Sequence, residues 1–460
     1  MGLFLRTGDG LHGSDLPVAL PLTDVLSFKA GSLPQAPTVA SSPLSPTPGR
    51  QTRHPAPFRL LNQAGPALRR LPFDLLSLSP DRLMAAAVER AALDDFGSGD
   101  FATGLSVLTE SAERDARLTS VGRLALRQHI LSALTTRLLE EDLRKRRPVR
   151  PDDPDSRPVV IVGLPRSGTT LLHRLLALRP GARGLAYWEV RNPIRPRGRD
   201  RRLQQSKRQL AMLDVLAPGF KTMHPVRAED PEECWFLLDG SLTSFTFWLT
   251  APVYGYLAWC LEQDQSEGYA RYREHLRRFS AERPGEALVL KAPAHTVNLR
   301  LLRQILPGAV IVQMHRDPVA CVNSGNSLMA ELQGAVTDYV DRPRLGRANL
   351  DLLARAAMRS VSAREAWPGD PVIDVYYDDL IADPRGVLRS LLGRMGQPFS
   401  LEHEVRVGRY LRNDPVFRHG VHRYCSSDFG LRDDDTRGMF EGYYDRFPRL
   451  RRAEAESGQG

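Results

Sequence analysis

PVVIVGLPRSGTTLL, residues 158–172, is the stretch whose reading decides the fold. Four β-branched residues, Val159 to Val162, form a short strand signal that ends at Gly163, and Thr169 onward carries a helical leucine pattern. A strand, a glycine-bearing turn and a helix start place backbone N–H groups and a helix N-terminus together, which favours an anion. Gly163, Gly168 and Thr170 fit the phosphate-cradling pattern G-x-x-x-x-G-K-[ST], but Thr169 stands where the lysine belongs. A cation enters the loop three residues early, as Arg166. That lysine reaches the β/γ-phosphates of a triphosphate, and no acidic strand end offers itself to magnesium. The loop is therefore expected to cradle a shorter phosphate group.

Outward from this unit, ALVLK (287–291), AVIVQMH (309–315) and PVIDVYY (371–377) read as further short buried strands with helical patterns between them. That alternation predicts an α/β fold, a P-loop-like parallel β-sheet flanked by helices. Upstream, 58–147 reads as a helical region. DRLMAAAVERAAL follows a Ser79-Pro80 start signal, and two later segments repeat apolar residues at three- and four-residue spacing. RKRRPVRPDDPDSRP (144–158) reads as a charged linker. Residues 1–57 are rich in Pro, Ser and Thr over 31–57 and are expected to be a disordered tail, as is 448–460; the α/β domain is placed at 158–447.

The formal net charge is +9, and only five of the basic residues are lysines, so arginine is the default cation and Lys291 draws notice. Charge of this sign suggests anionic ligands. A nucleic-acid binder would want a groove-entering motif or interleaved basic and aromatic positions, and neither is found. Four widely spaced cysteines argue against a disulfide framework or zinc site and suit a reducing compartment, and no metal is expected. Asp9, Asp15 and Asp24 interrupt any secretory apolar run, and the expected location is cytoplasmic. The window CWFLLDGSLTSFTFWLTAPVYGYLAWCL (234–261) holds Asp239, Gly240 and Pro252, so it reads as buried helix and pocket wall rather than a membrane span.

Pro165, Arg166, Ser167, Gly168, Thr169 and Thr170 resemble the 5′-phosphosulfate loop of sulfotransferases, Pro-[Lys/Arg]-Ser-Gly-[Thr/Ser]-[Thr/Ser], at every position. AVIVQMHRDPVACVNSGNSL is similar to the family's 3′-phosphate site, an arginine after a strand followed eight residues later by a serine, here Arg316 and Ser324. Trp188-Glu189, the run from Leu290 to His295 and Asp428-Phe429-Gly430-Leu431 resemble a bacterial-type branch with a helical N-terminal region. The resemblance spans about 58–447. It implies 3′-phosphoadenosine 5′-phosphosulfate as donor cosubstrate and a hydroxylated acceptor, a small molecule, lipid or glycan, apolar ones included. One 5′-phosphate joined to sulfate needs no β/γ-reaching lysine, which accounts for Thr169. The rival reading is a P-loop kinase-like phosphotransferase, which would want a lysine after Gly168.

Sulfuryl transfer is an in-line displacement that asks for a base, for cations on the transferring and leaving oxygens, and for a dry aligned pocket. The cations chosen are Arg166 and Lys291. For the base, Glu189 stands beyond the loop helix, where enzymes with this loop place a glutamate, and His295 in KAPAH is the alternative. His224 in MHPVRAEDPEEC is a third candidate, read as acceptor-binding. The aromatics Phe236, Phe245, Phe247, Trp248, Tyr254, Tyr256 and Trp259 are candidates for core or for an acceptor wall, and the arginine run 191–208 for a solvated face.

Overall fold

A computed structural model of the chain describes residues 56–63, 76–148, 157–196, 198–413 and 425–451. Most of the Pro/Ser-rich tail, the middle of the 144–158 linker and residues 452–460 lie outside these.

Five parallel strands form one sheet: β1 (Val159–Gly163), β2 (Ala182–Gly184), β3 (Ala287–Lys291), β4 (Val310–His315) and β5 (Ile373–Tyr376), in the order β2-β3-β1-β4-β5. Strand β1 is buried at all five positions, as its unbroken β-branched run requires of a central parallel strand. It pairs Val159 with Val289 on one side and runs level with β4 on the other, from Val159 opposite Val310 to Gly163 opposite Met314. The chain leaves β1 toward β2 and β3, then returns past it to β4 and β5. Such a reversal opens a crevice at the carboxyl ends of the strands, where open α/β sheets bind ligands.

The four strands read from the sequence are present. Strand β5 stops at Tyr376 because Tyr377 begins the helix Tyr377–Ala382. Strand β2 escaped the reading: Ala-Arg-Gly is three residues without a β-branched side chain, and it is a strand only because β3 offers an edge.

Upstream, the helices Pro80–Ala91, Phe101–Asp115 and Ser120–Arg146 confirm the helical region. Pro80 occupies the first turn, and Thr119 caps the long helix by accepting from the Gly122 amide. The last of these helices runs into the stretch read as linker. The region does not keep a core to itself: Leu105, Leu108, Ile130 and Leu134 pack in one cluster with Phe247, Trp248 and Tyr256. The apolar window 234–261 breaks into Cys234–Ser241, Thr246–Thr250 and Tyr254–Glu262. Among the described residues no helix is long and apolar enough to cross a membrane. At the far end Leu450 is buried, so ordered packing continues past the boundary drawn at 447.

Candidate active site

The loop after β1 is shaped by three residues of positive φ. Gly163 (φ 131°) and Gly168 (φ 90°) exclude side chains: a Cβ would lie 2.5 Å from the Met314 carbonyl oxygen in the first case and 2.9 Å from the Tyr377 ring in the second. Arg166 adopts φ 69°, a conformation that costs a non-glycine residue free energy and marks functional loops. Two contacts hold it there. Its carbonyl accepts from Arg316 Nη1 at 2.8 Å, and its own Nε donates to Ser324 Oγ at 3.1 Å. The two motifs, some 150 residues apart in sequence, thus meet directly, because β4 lies beside β1 and releases Arg316 next to the loop. Asp317 caps the helix Pro318–Gly334 through the Val319 and Ala320 amides, and that helix presents Ser324 two turns along.

No side chain caps the helix Thr169–Ala177 that starts at the loop, so its first-turn N–H groups face the crevice unclaimed by a capping residue. Pro165, Arg166, Gly168, Thr169 and Thr170 line a cavity of about 400 Å³. Arg316 lines it too, its guanidinium 4.1 Å from the centre of the Tyr377 ring. Ser167 differs from its neighbours. Its hydroxyl turns inward and donates to the Leu164 carbonyl at 2.6 Å, closing the turn.

From the loop the cavity continues between apolar walls that include Leu210, Leu213, Trp235, Phe236, Phe245 and Trp248. Of the aromatics picked out in the sequence, Phe236, Phe245 and Trp248 are wall, while Phe247 and Tyr256 are core. Arg191 also lines the wall, held by Asp239 at 3.3 Å with its guanidinium over Phe236.

The catalytic candidates are redistributed. Glu189 does not line the cavity: Arg183 Nη1 holds both its oxygens at 3.0 and 3.3 Å, and Oε2 accepts from the Ala186 amide at 2.8 Å. It caps the short helix Tyr187–Arg191 from within. His295 is likewise removed. It is fully buried between Tyr269 Oη (2.8 Å) and Cys234 Sγ (3.4 Å), and burial pushes its pKa down to about 3, so it stays neutral in the core. Lys291 does end β3 near the site, but its ammonium is buried and donates to Glu232 Oε1 at 3.3 Å and Glu233 Oε1 at 2.8 Å. It serves these two carboxylates rather than the open space.

Glu232 and Glu233 line the cavity together with His224. His224 Nε2 stands 3.5 Å from Glu232 Oε2. Burial works against charge on Glu232, yet Lys291 and His224 outweigh it and hold the carboxyl well below the ordinary range. Burial likewise opposes the Lys291 charge, but Glu233 and Glu232 raise its pKa above the usual value. The result is a chain of polar contacts, the Lys291–Glu232 ion pair and then His224, ending at the cavity wall. Glu232 and Glu233 were not chosen from the sequence, although they stand in the same MHPVRAEDPEEC stretch as His224. A doubled acid directly before the aromatic window, in a chain with a single lysine at a strand end, was the available signal.

The model of the sulfotransferase family matches residues 158–400. The sulfotransferase STF1 from Mycobacterium tuberculosis is 30% identical and superimposes with a TM-score of 0.65 over 79% of this chain and 98% of its own. STF9 from Mycobacterium avium is 25% identical, with a TM-score of 0.69 over 80% and 96%. Omega-hydroxy-beta-dihydromenaquinone-9 sulfotransferase Stf3, from Mycobacterium bovis and Mycobacterium tuberculosis, is 24% identical over 310 residues, 63% of this chain and 76% of the relative. With the phosphate loop, its arginine-serine partner and the parallel sheet that joins them, these likenesses make the chain a member of the sulfotransferase family, an enzyme of sulfuryl transfer.

Proposed function

We propose that this enzyme sulfates the hydroxyl group of an apolar acceptor, with 3′-phosphoadenosine 5′-phosphosulfate as donor and His224 as base. The observation that carries the reading is one cavity lined at once by Pro165, Arg166 and Gly168 to Thr170 of the loop, by His224 and Glu232, and by aromatic and aliphatic walls. A hydrophilic acceptor would leave those walls wet and its own polar groups unmatched. The Stf3 relatives are named for a hydroxylated menaquinone, which fits the same description.

The residues present fit the donor. Two glycines keep the loop free of side chains, the uncapped helix start offers N–H groups, and Arg166 and Arg316 stand at the loop as cations. Bound there, the donor supplies the sulfuryl group and departs as the 3′,5′-bisphosphate. Arg166 and the helix N-terminus are placed to take up charge on the leaving phosphate. His224 accepts the acceptor's hydroxyl proton as its oxygen bonds to sulfur. Glu232 orients the imidazole and stabilises its charged form, in the manner of a carboxylate behind a catalytic histidine. Lys291 keeps Glu232 ionised and in place.

The test is a transfer assay with labelled donor against paired acceptors, a long-chain alcohol or prenyl alcohol beside an amino sugar, in the unmutated chain and in His224→Gln and Glu233→Gln. The expected result is preference for the apolar alcohol, with kcat reduced by roughly 10²–10⁴ in His224→Gln and far less in Glu233→Gln. Preference for the sugar would overturn the acceptor class. An inactive Glu233→Gln beside an active His224→Gln would move the base to Glu233.

A further inference from the structure

The helix Arg202–Leu216 has a sidedness that the cavity alone does not explain. Of its fifteen residues only Ser206 is buried. Leu210 and Leu213, on the same side as Ser206 at four- and three-residue spacing, line the cavity. The opposite side carries a second stripe at the same spacing, Arg208, Ala211, Met212 and Val215, all exposed; Met212 and Val215 are 49% and 47% accessible. A helix that only roofs a pocket needs a polar outer face, and this one sets Met212 and Val215 there among Gln204, Arg208 and Ala211. The adjoining segment is strongly one-signed: residues 191–208 hold eight basic side chains and one acid, Asp200. Arg195, Arg199, Arg201 and Arg208 are exposed there.

We propose that the outer face of Arg202–Leu216, with the arginines that precede and begin it, docks on an anionic bilayer surface. The helix is then the wall shared by the bilayer interface and the cavity, past which an apolar acceptor enters. Two apolar side chains one turn apart, with Arg208 on their face, Asp214 between them paired to Lys221, and exposed arginines before the helix, match the headgroup boundary of an anionic leaflet, where apolar insertion and basic charge add. A protein partner of the same contact would meet little apolar area, since Met212 and Val215 are the only large exposed apolar residues of this helix. The entry route rests on the apolar acceptor proposed above; the docking itself does not.

The experiment is co-sedimentation of the full chain with vesicles of phosphatidylcholine alone or with phosphatidylglycerol, at 0.15 and 0.5 M salt. It is repeated for Met212→Glu/Val215→Glu and for Arg199→Glu/Arg208→Glu. Affinity for 3′-phosphoadenosine 5′-phosphate is measured in parallel. Binding is expected only with phosphatidylglycerol, weakened by salt, and at least about tenfold weaker in each double variant while nucleotide affinity is unchanged. No sedimentation with anionic vesicles, or equal sedimentation of all three proteins, overturns the proposal. So does a dimer of the unmutated chain that becomes monomeric in Met212→Glu/Val215→Glu, which would assign the face to a second copy. Failure of the donor reading would show separately, as absent nucleotide affinity in the unmutated chain.

Discussion

Replacing Lys291 by methionine isolates the charge balance behind the cavity. The ammonium is fully buried, 2.8 Å from Glu233 and 3.3 Å from Glu232, and Glu232 is itself buried. Methionine fills the same space but leaves the Glu232 carboxylate in low dielectric, answered by His224 3.5 Å away, the Glu233 amide and the more weakly felt Arg174. Removing one partner of a buried pair costs about 3–5 kcal/mol, and the remaining histidine places this case near the lower end. The pH dependence follows from the direction of each shift. In the unmutated chain the Glu232 pKa lies below its unfolded value of about 4.3. Its contribution is therefore present above that pH and lost as pH falls through the folded value. Lys291 has a raised pKa, so its contribution is complete below about 10.4 and flat across the acid range. In Lys291→Met burial of Glu232 is no longer outweighed, its folded pKa moves above the unfolded one, and the penalty is largest at neutral pH and fades on acidification. Urea unfolding followed by tryptophan fluorescence at pH 7.5 and 5.0 should show a deficit that narrows at the lower pH. Lys291→Met/Glu232→Gln should recover at least half of it. A loss under about 1 kcal/mol at pH 7.5, unchanged at pH 5.0, would refute the reasoning.

Arg316→Ala removes both a cation at the donor loop and the brace on the Arg166 carbonyl, so preference for 3′-phosphoadenosine 5′-phosphate over adenosine 5′-phosphate should fall roughly ten- to a hundredfold by calorimetry. Glu189→Gln weakens a buried ion pair with Arg183 and should lower stability by about 1–3 kcal/mol while kcat stays within a few-fold; a kcat loss of several hundredfold in a fully folded variant would restore Glu189 as the base. His295→Asn should behave as a core substitution, lowering the melting temperature with nucleotide affinity preserved, and a pH–rate profile that loses its acid limb would contradict that. Transfer should continue in excess EDTA, because the proposed donor site meets the leaving phosphate with helix N–H groups and arginines; loss reversed by magnesium would require a metal in the mechanism.

What the sequence alone determined is what short-range pattern encodes. A β-branched run ending in Gly163, a loop with Arg166 in place of the usual lysine and a leucine-spaced helix define the central strand, the turn and the helix start, because each is built from neighbours in the chain. The Arg316–Ser324 pair was legible for the same reason: strand, capping Asp317 and helix are contiguous, and the helix that begins at Pro318 carries Ser324 at a fixed place along it. Pattern could also place the other long strands: β3 and β4 are buried on both faces and rich in β-branched and aliphatic residues, and β5 alternates buried Ile373 and Val375 with half-buried Asp374 and Tyr376. Strand β2 lay beyond it, being a strand only by pairing with β3.

The identity of the groups around the chemistry was decided in three dimensions. Glu189, Lys291 and His295 each have the right residue type in the right segment, and nothing local distinguishes a carboxylate aimed at a cavity from one claimed by Arg183 six residues away. Lys291 reaches its partners across 58 and 59 residues, and His295 meets Tyr269 and Cys234 from two other elements. Whether a titratable side chain is a reactive group or a satisfied core group depends on which neighbours desolvate and pair it. Those neighbours are set by how the sheet, the Cys234–Ser241 turn and the N-terminal helices close over one another. Glu232, Glu233 and His224 reach the cavity wall by that closure, and a pattern of intervals along the chain carries no record of it.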